Sequence, residues 1–322
     1  ESLIADPATL SADGEQLPEV ERARRERMRE TSAGITTFAT DRDVTVASFA
    51  LSGQVGIARL TGDRRVELLD VAGPAIDPRV DPTGQRVVWV SDGSLHVADV
   101  DGANARVLIK ADGANETWGL ADFLAAEEFD RMRGFWWSPD GTQLLVQHTD
   151  DSSVDQWWIA DPANPAASPR QIRYPAAGTA NPRVALWLVN LNGERVEVQW
   201  DGDRYCYLLS VSWNSRGPAL ITVLNREQTD AGVRSVAPES GLTTEVAQLA
   251  DPCWVEFVPG TPAWSPDGKL LSTASDVASV PGVGDAISLD GVLLGPPQLR
   301  VRAVLEDRKS TRLNSSHSLT SR

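Results

Sequence analysis

From Val44 onward, short apolar runs alternate with clusters of Gly, Pro, Asp and Asn, which is the two-residue period of half-buried strands. VTVASFALSGQVGIARL, RVVWV with SLHVADV, QLLVQHT with VDQWWIAD, and RVALWLVNLNGERVEVQW each read as strands divided by a polar turn. Two stretches depart from this pattern. Residues 18–30 (PEVERARRERMRE) are rich in helix formers and open on Pro18, so a helix is expected there, ended by Gly34. Residues 121–133 (ADFLAAEEFDRMR) hold Phe123, Leu124, Phe129 and Met132 near helical spacing with no Gly or Pro, which predicts a second, inserted helix.

The turns repeat. Trp137-Ser-Pro-Asp-Gly141 and Trp264-Ser-Pro-Asp-Gly268 are identical, Trp213-Asn-Ser-Arg-Gly217 is a looser copy and Val80-Asp-Pro-Thr-Gly84 looser again. Their closing glycines fall 57, 76 and 51 positions apart. Pro presets the backbone at the second turn position, Gly closes the turn, and the Trp ahead of it can pack between layers. A hairpin recurring at this interval, with further strands after each copy, predicts an all-β fold: a β-propeller with about six blades' worth of strands, a short helix inserted in one blade and an N-terminal helix. A β-sandwich is the alternative, but it does not account for repeated Trp turns.

Composition narrows the partners. The net charge of -15 argues against nucleic acid and anionic membrane surfaces and fits a cationic ligand, although acidity also serves solubility. No apolar run reaches about eighteen residues, so no membrane span is expected. Cys206 and Cys253 lack metal-ligand spacing and are read as buried thiols of a reducing compartment, hence a cytoplasmic location. Arginine far outnumbers lysine and alanine is plentiful, the bias of a GC-rich bacterial genome. Residues 307–322 (DRKSTRLNSSHSLTSR) break with everything before them and resemble translated sequencing-adapter read-through. Setting them aside removes four cations and one anion and takes the charge from -15 to -18. The expected organisation is an N-terminal segment with its arginine-rich helix over 1–34, a propeller over 35–306 and a non-native tail over 307–322.

No catalytic machinery is visible: there is no G-x-S-x-G elbow, no phosphate loop and no dinucleotide fingerprint, and His96, His148 and His317 have no neighbours at metal spacing. No catalytic residue, metal or cofactor is expected. Glu127 and Glu128 remain. Adjacent carboxylates on a helix project about 100° apart, so taken alone they read as solvated charges. At a helix end or kink, however, the two could accept two of the three hydrogen bonds that an ammonium donates.

Three blocks bear on that choice. FLAAEEFDRMRGFWWSPDG resembles the double-glutamate helix and Trp-Trp turn of the dipeptidyl peptidase IV family; its EEFDR and G-F-W-W are most similar to the cytosolic branch containing dipeptidyl peptidases eight and nine. Tyr174-Pro-Ala-Ala-Gly-Thr-Ala-Asn-Pro182 resembles that family's Y-P-x-x-G-x-x-N-P linker, and Arg25-Glu-Arg-Met-Arg29 with Gly34-Ile-Thr36 resembles its arginine helix and G-I-T strand. The resemblance spans about residues 17–306.

It implies a propeller of an eight-bladed type in which Glu127 and Glu128 bind a peptide's free α-ammonium and Arg29 contacts substrate carbonyl oxygens. The parent would be a serine peptidase, homodimeric, releasing Xaa-Pro or Xaa-Ala dipeptides. Its α/β-hydrolase domain with the Ser, Asp and His triad is absent from this chain, which would then be inactive as it stands and truncated at both ends. A stand-alone propeller serving as a protein-interaction scaffold is the alternative; the W-S-P-D-G turns alone would suit it, while the inserted glutamate helix would have no purpose there.

Overall fold

The computed structural model describes residues 4, 6–11, 15–274, 286–289 and 292–293. Two short helices come first, α1 (Pro7–Leu10) and α2 (Glu19–Arg27). Five antiparallel sheets then follow in chain order. The first holds β1 (Phe38–Thr40), β2 (Val46–Leu51), β3 (Gln54–Arg59) and β4 (Arg65–Leu68). The second holds β5 (Ile76–Val80), β6 (Arg86–Ser91), β7 (Ser94–Asp99) and β8 (Arg106–Ile109). The third starts with β9 (Glu116–Trp118), continues after α3 (Phe123–Glu128) with β10 (Phe135–Trp137) and β11 (Gln143–Asp150), and is completed by β14 (Arg183–Asn190) and β15 (Arg195–Glu197). Between β11 and β14, β12 (Gln156–Ile159) and β13 (Arg170–Arg173) pair only with each other. The fourth holds β16 (Tyr207–Ser212), β17 (Ala219–Leu224), β18 (Asp230–Val236) and β19 (Thr243–Ala250). The fifth holds β20 (Ala263–Trp264), β21 (Leu270–Ala274), β22 (Ala286–Leu289) and β23 (Val292–Leu293).

These are propeller blades, and each joint between successive blades is a hydrophobic core. Ile57, Val80 and Trp89 pack between the first and second blades, Val90, Trp118 and Phe135 between the second and third, Trp136, Leu186 and Ile221 between the third and fourth, and Leu220, Leu249 and Leu270 between the fourth and fifth. Successive positions of one strand serve opposite joints: Ile221 and Val223 pack in the joint to the third blade and Leu220 and Leu224 in the joint to the fifth, so β17 is buried on both faces. One buried polar pair crosses a joint: the Ser48 hydroxyl donates to the Pro78 carbonyl and accepts from Val80 N, both at 2.9 Å.

All four sequence-identified turns join the first strand of a blade to the second. In each, a short polar side chain accepts backbone N–H groups further round the turn: Asp81 from Thr83 and Gln85, Ser138 from Thr142 and Gln143, Asn214 from Arg216, and Ser265 from Lys269. The sequence contains a fifth copy in disguise at 41–46, where Asp41 accepts from Thr45 and Val46. Val44 there takes the left-handed φ of 57° that Gly84, Gly141 and Gly268 take elsewhere. The tryptophans do pack between layers. Trp137 Nε1 donates to Arg79 O across the joint to the second blade, and Trp264 Nε1 to Pro218 O across the joint to the fourth. Gly217 is required because a Cβ there would lie 2.6 Å from the Trp264 indole.

Three expectations need correction. Among the described residues, about six blades' worth of strands resolves into five blades, because β12 and β13 pair only with each other as a two-stranded hairpin. The inserted helix ends at Glu128, not Arg133: Asp130 turns to φ 49° and Arg131 points back into the core. Cys253 is exposed and Cys206 half-buried, and both are free thiols, so neither is a buried core cysteine. The first strand begins at Phe38, near the expected domain start, whereas 307–322 lies outside the described residues.

Candidate functional site

The third blade's first strand is split. β9 and β10 both pair with β11, at His148↔Trp118 and Phe135↔Val146, so residues 119–134 are an excursion from what would otherwise be one strand. A bridge between Leu120 and Arg133 closes its neck. Gly134 is needed there: a Cβ would meet the Gly119 and Leu120 carbonyl carbons at 2.4 Å. β5 lies against both β1 and β2 of the blade before it, and α3 is let into the first strand of the third blade.

Buried polar groups hold α3 at both ends. Asp122 caps its start, accepting from Ala125 N at 3.1 Å, and also accepts from Gln147 Nε2 at 3.1 Å. Arg131, just past the helix, lies 3.5 Å from the Asp122 carboxylate and donates to the carbonyls of Arg133 and, in the next blade, Leu208. Burial pushes the Arg131 guanidinium down to about 10, with Asp122 opposing the shift, so it stays charged at neutral pH. Trp136 lies 5.8 Å from both the Arg131 and Arg133 guanidinium carbons. The paired tryptophans thus divide their work, Trp136 backing the excursion and Trp137 the turn.

The Tyr174–Pro182 block brackets the same helix. Tyr174 meets Phe123 edge-on at 5.3 Å and Trp157 of β12 at 5.5 Å. Asn181 Nδ2 donates to the Tyr207 hydroxyl at 2.8 Å, and the Tyr207 ring meets Phe129 edge-on at 5.7 Å. One end of the block therefore touches the first residue of α3 and the other reaches the residue after its last.

Glu127 and Glu128 occupy the last turn of α3, and both are exposed. Carboxylates at a helix C-terminus face the negative end of the helix dipole, an arrangement that favours a cation beside them. That cation is Arg27: its Nε lies 3.5 Å from Glu127 Oε1, and its guanidinium carbon lies 5.4 Å from the Phe123 ring centroid. Glu128 has no ion pair among the described residues.

The arginine-rich helix is not a uniformly solvated face. Arg25 and Glu21 are buried; Arg25 joins Glu21 at 3.0 Å and Glu15 at 2.6 Å and donates to the Ser32 and Gly34 carbonyls, folding the N-terminal segment onto itself. Arg24 pairs with Glu21 at 2.8 Å. The structure does not bring Arg29 to the glutamates: it is exposed, at φ 52°, in the turn after α2. Arg27 is the residue that sequence reasoning passed over. Met28 alone separates the two arginines, and nothing in the sequence shows which of them faces α3.

The geometry defines a β-propeller with a double-carboxylate helix set into the first strand of one blade and faced by a cationic helix. The model of the family described as the dipeptidyl peptidase IV (DPP IV) N-terminal region matches residues 49–277, and the chain belongs to that family. It is 27% identical over 196 residues to inactive dipeptidyl peptidase 10 of Rattus norvegicus, covering 58% of this chain and 24% of that protein. It is 26% identical over 222 residues to probable dipeptidyl-aminopeptidase B of Aspergillus oryzae, covering 60% and 24%. The fold matches Porphyromonas gingivalis dipeptidyl peptidase 4 at a TM-score of 0.65 and 20% identity, over 83% of this chain and 40% of that one. The matches span about a quarter of the length of these curated relatives.

Proposed function

We propose that this propeller binds the free amino terminus of a peptide through Glu127 and Glu128, as the substrate-recognition part of a serine dipeptidyl peptidase that releases Xaa-Pro or Xaa-Ala dipeptides. The observation that carries the reading is the helix itself. The first strand of a blade is interrupted, and a buried Asp122–Arg131 pair is spent, to present two carboxylates that remain exposed. Neither carboxylate stabilises the fold through a buried contact. A terminal ammonium has three donors and suits such a pair. Contact there would fix the distance from the peptide's end to any bond cut beyond it, which is how dipeptide release would be enforced.

Losing one partner of a buried charged hydrogen bond costs about 2 to 5 kcal/mol, but Glu127 is 37% exposed, so we take the lower end of that range. Glu127→Gln and Glu128→Gln should each weaken binding of a free-amine Xaa-Pro peptide by about thirtyfold. Titration by NMR checks this, and affinity unchanged in both variants would remove the proposed role.

A second reading keeps the site and drops the chemistry. One relative, at 27% identity, is described as an inactive dipeptidyl peptidase, so a propeller of this family can belong to a protein that does not cleave. The chain would then serve as an interaction scaffold that still reads amino termini, and the same titration with no turnover in the parent protein would support it.

A further inference from the structure

Phe123 and Glu127 stand four residues apart on α3 and therefore share a face. Between the ring and the carboxylate lies the guanidinium of Arg27, 5.4 Å from the ring centroid and 3.5 Å from Glu127 Oε1. A ring face and a carboxylate aimed at one point will attract any cation that can reach it, not only an arginine.

The other arginines of α2 have partners elsewhere: Arg24 and Arg25 on Glu21, and Arg22 on the Leu17 carbonyl. Arg27 crosses to another part of the fold instead. Its contact is easily broken, because the two side chains are 41% and 37% exposed, and ion pairs of that exposure hold only weakly. It also leaves Glu128 unused.

We propose that Phe123 and Glu127 form one composite cation subsite, that Arg27 fills it in the free chain, and that a peptide's ammonium binds by replacing Arg27. The inference rests on the proposed function and adds two elements to it. Phe123 becomes a specificity residue, presenting its π face to the ammonium. Arg27 becomes a competitor for the site, the opposite of an arginine that assists by contacting the ligand. The exchange favours the peptide because an ammonium that reaches Glu128 gains a second acceptor that Arg27 does not use. A blocked, neutral terminus keeps one N–H donor but no positive charge for carboxylate or ring, and it leaves Arg27 in place.

The apparent dissociation constant of a site that is open only part of the time is the intrinsic one divided by the open fraction. An exposed ion pair leaves about a quarter to a half of the sites open, so Arg27→Gln should tighten a free-amine Xaa-Pro tetrapeptide by about twofold to fourfold. Arg22→Gln removes the same charge from the same helix and should leave affinity unchanged, which separates displacement from the general field. Arg27→Lys keeps a competing cation and should fall between Arg27→Gln and the unaltered chain. Phe123→Leu should weaken the free-amine peptide by about twofold to fivefold and leave its N-acetylated counterpart unaffected. Weaker or unchanged binding in Arg27→Gln overturns the inference. If the unaltered chain itself does not prefer the free amine, the proposed function fails first. If it does and Arg27→Gln is not tighter, only this inference fails.

Discussion

At the scale of single residues, the site depends on groups that never touch a ligand. Asp122 caps α3, accepts from Gln147 and faces Arg131, and each of these groups is buried. Removing one member of a buried ion pair leaves the other charge uncompensated, at a cost of about 3 to 5 kcal/mol. Asp122→Ala should therefore destabilise the chain by about 3 kcal/mol in chemical denaturation, and Asp122→Asn, which keeps the capping oxygen, by less. Equal loss in both would mean that the cap and the charge pair are not separable contributions. Glu127 and Glu128 were legible in the sequence only as a doublet with neighbours; nothing in their spacing fixes where they point. Arg27 and Arg29 were not distinguishable there, because which arginine faces α3 depends on how α2 lies against the blade, a tertiary fact.

At the scale of elements, the repeated turn was the most legible feature, because its mechanism is local. A short polar acceptor ahead of a closing Gly recurs in all four visible copies, three of which also carry Pro. The fifth, at 41–46, was hidden because Val44 sits where a glycine was expected and only the Asp41 hydrogen bonds reveal it. The length of α3 was misread for the opposite reason: Phe129 and Met132 have helical spacing, but the buried Arg131 draws the chain out of the helix before they can extend it.

The turns also carry a pH signature. Asp140 accepts from the Ser138 hydroxyl at 2.6 Å and from Thr142, which holds its carboxyl below the usual 3.8. A carboxyl depressed in the folded state contributes stability that is present above pH 3.8 and lost as pH falls below it. Asp140→Asn should thus flatten the loss of stability as pH falls below about 4, by less than about 1 kcal/mol for so exposed a group. Parallel acid denaturation curves for the two proteins would count against it.

At the scale of the whole molecule, the five blades of the described residues meet at four apolar joints. The fold class was legible because strand period and turn spacing agree. The blade count was not, since an exposed hairpin such as β12–β13 carries the same alternating pattern as a blade strand pair. With a net charge of -15, a cationic peptide should be drawn in by the field of the whole protein as well as by the two carboxylates. Raising salt from about 50 to 500 mM should lower the association rate of such a peptide severalfold, because the Debye length shrinks from about 14 Å to about 4 Å. A salt-independent rate would confine recognition to short-range contacts.

The central claim is that the exposed carboxylates of α3 recognise a charged amino terminus. It is tested most directly by titrating the intact chain with two Xaa-Pro peptides that differ only in N-acetylation. The expected result is a dissociation constant at least about tenfold lower for the free amine, a difference of about 1.4 kcal/mol. Equal affinity for the two peptides would contradict it.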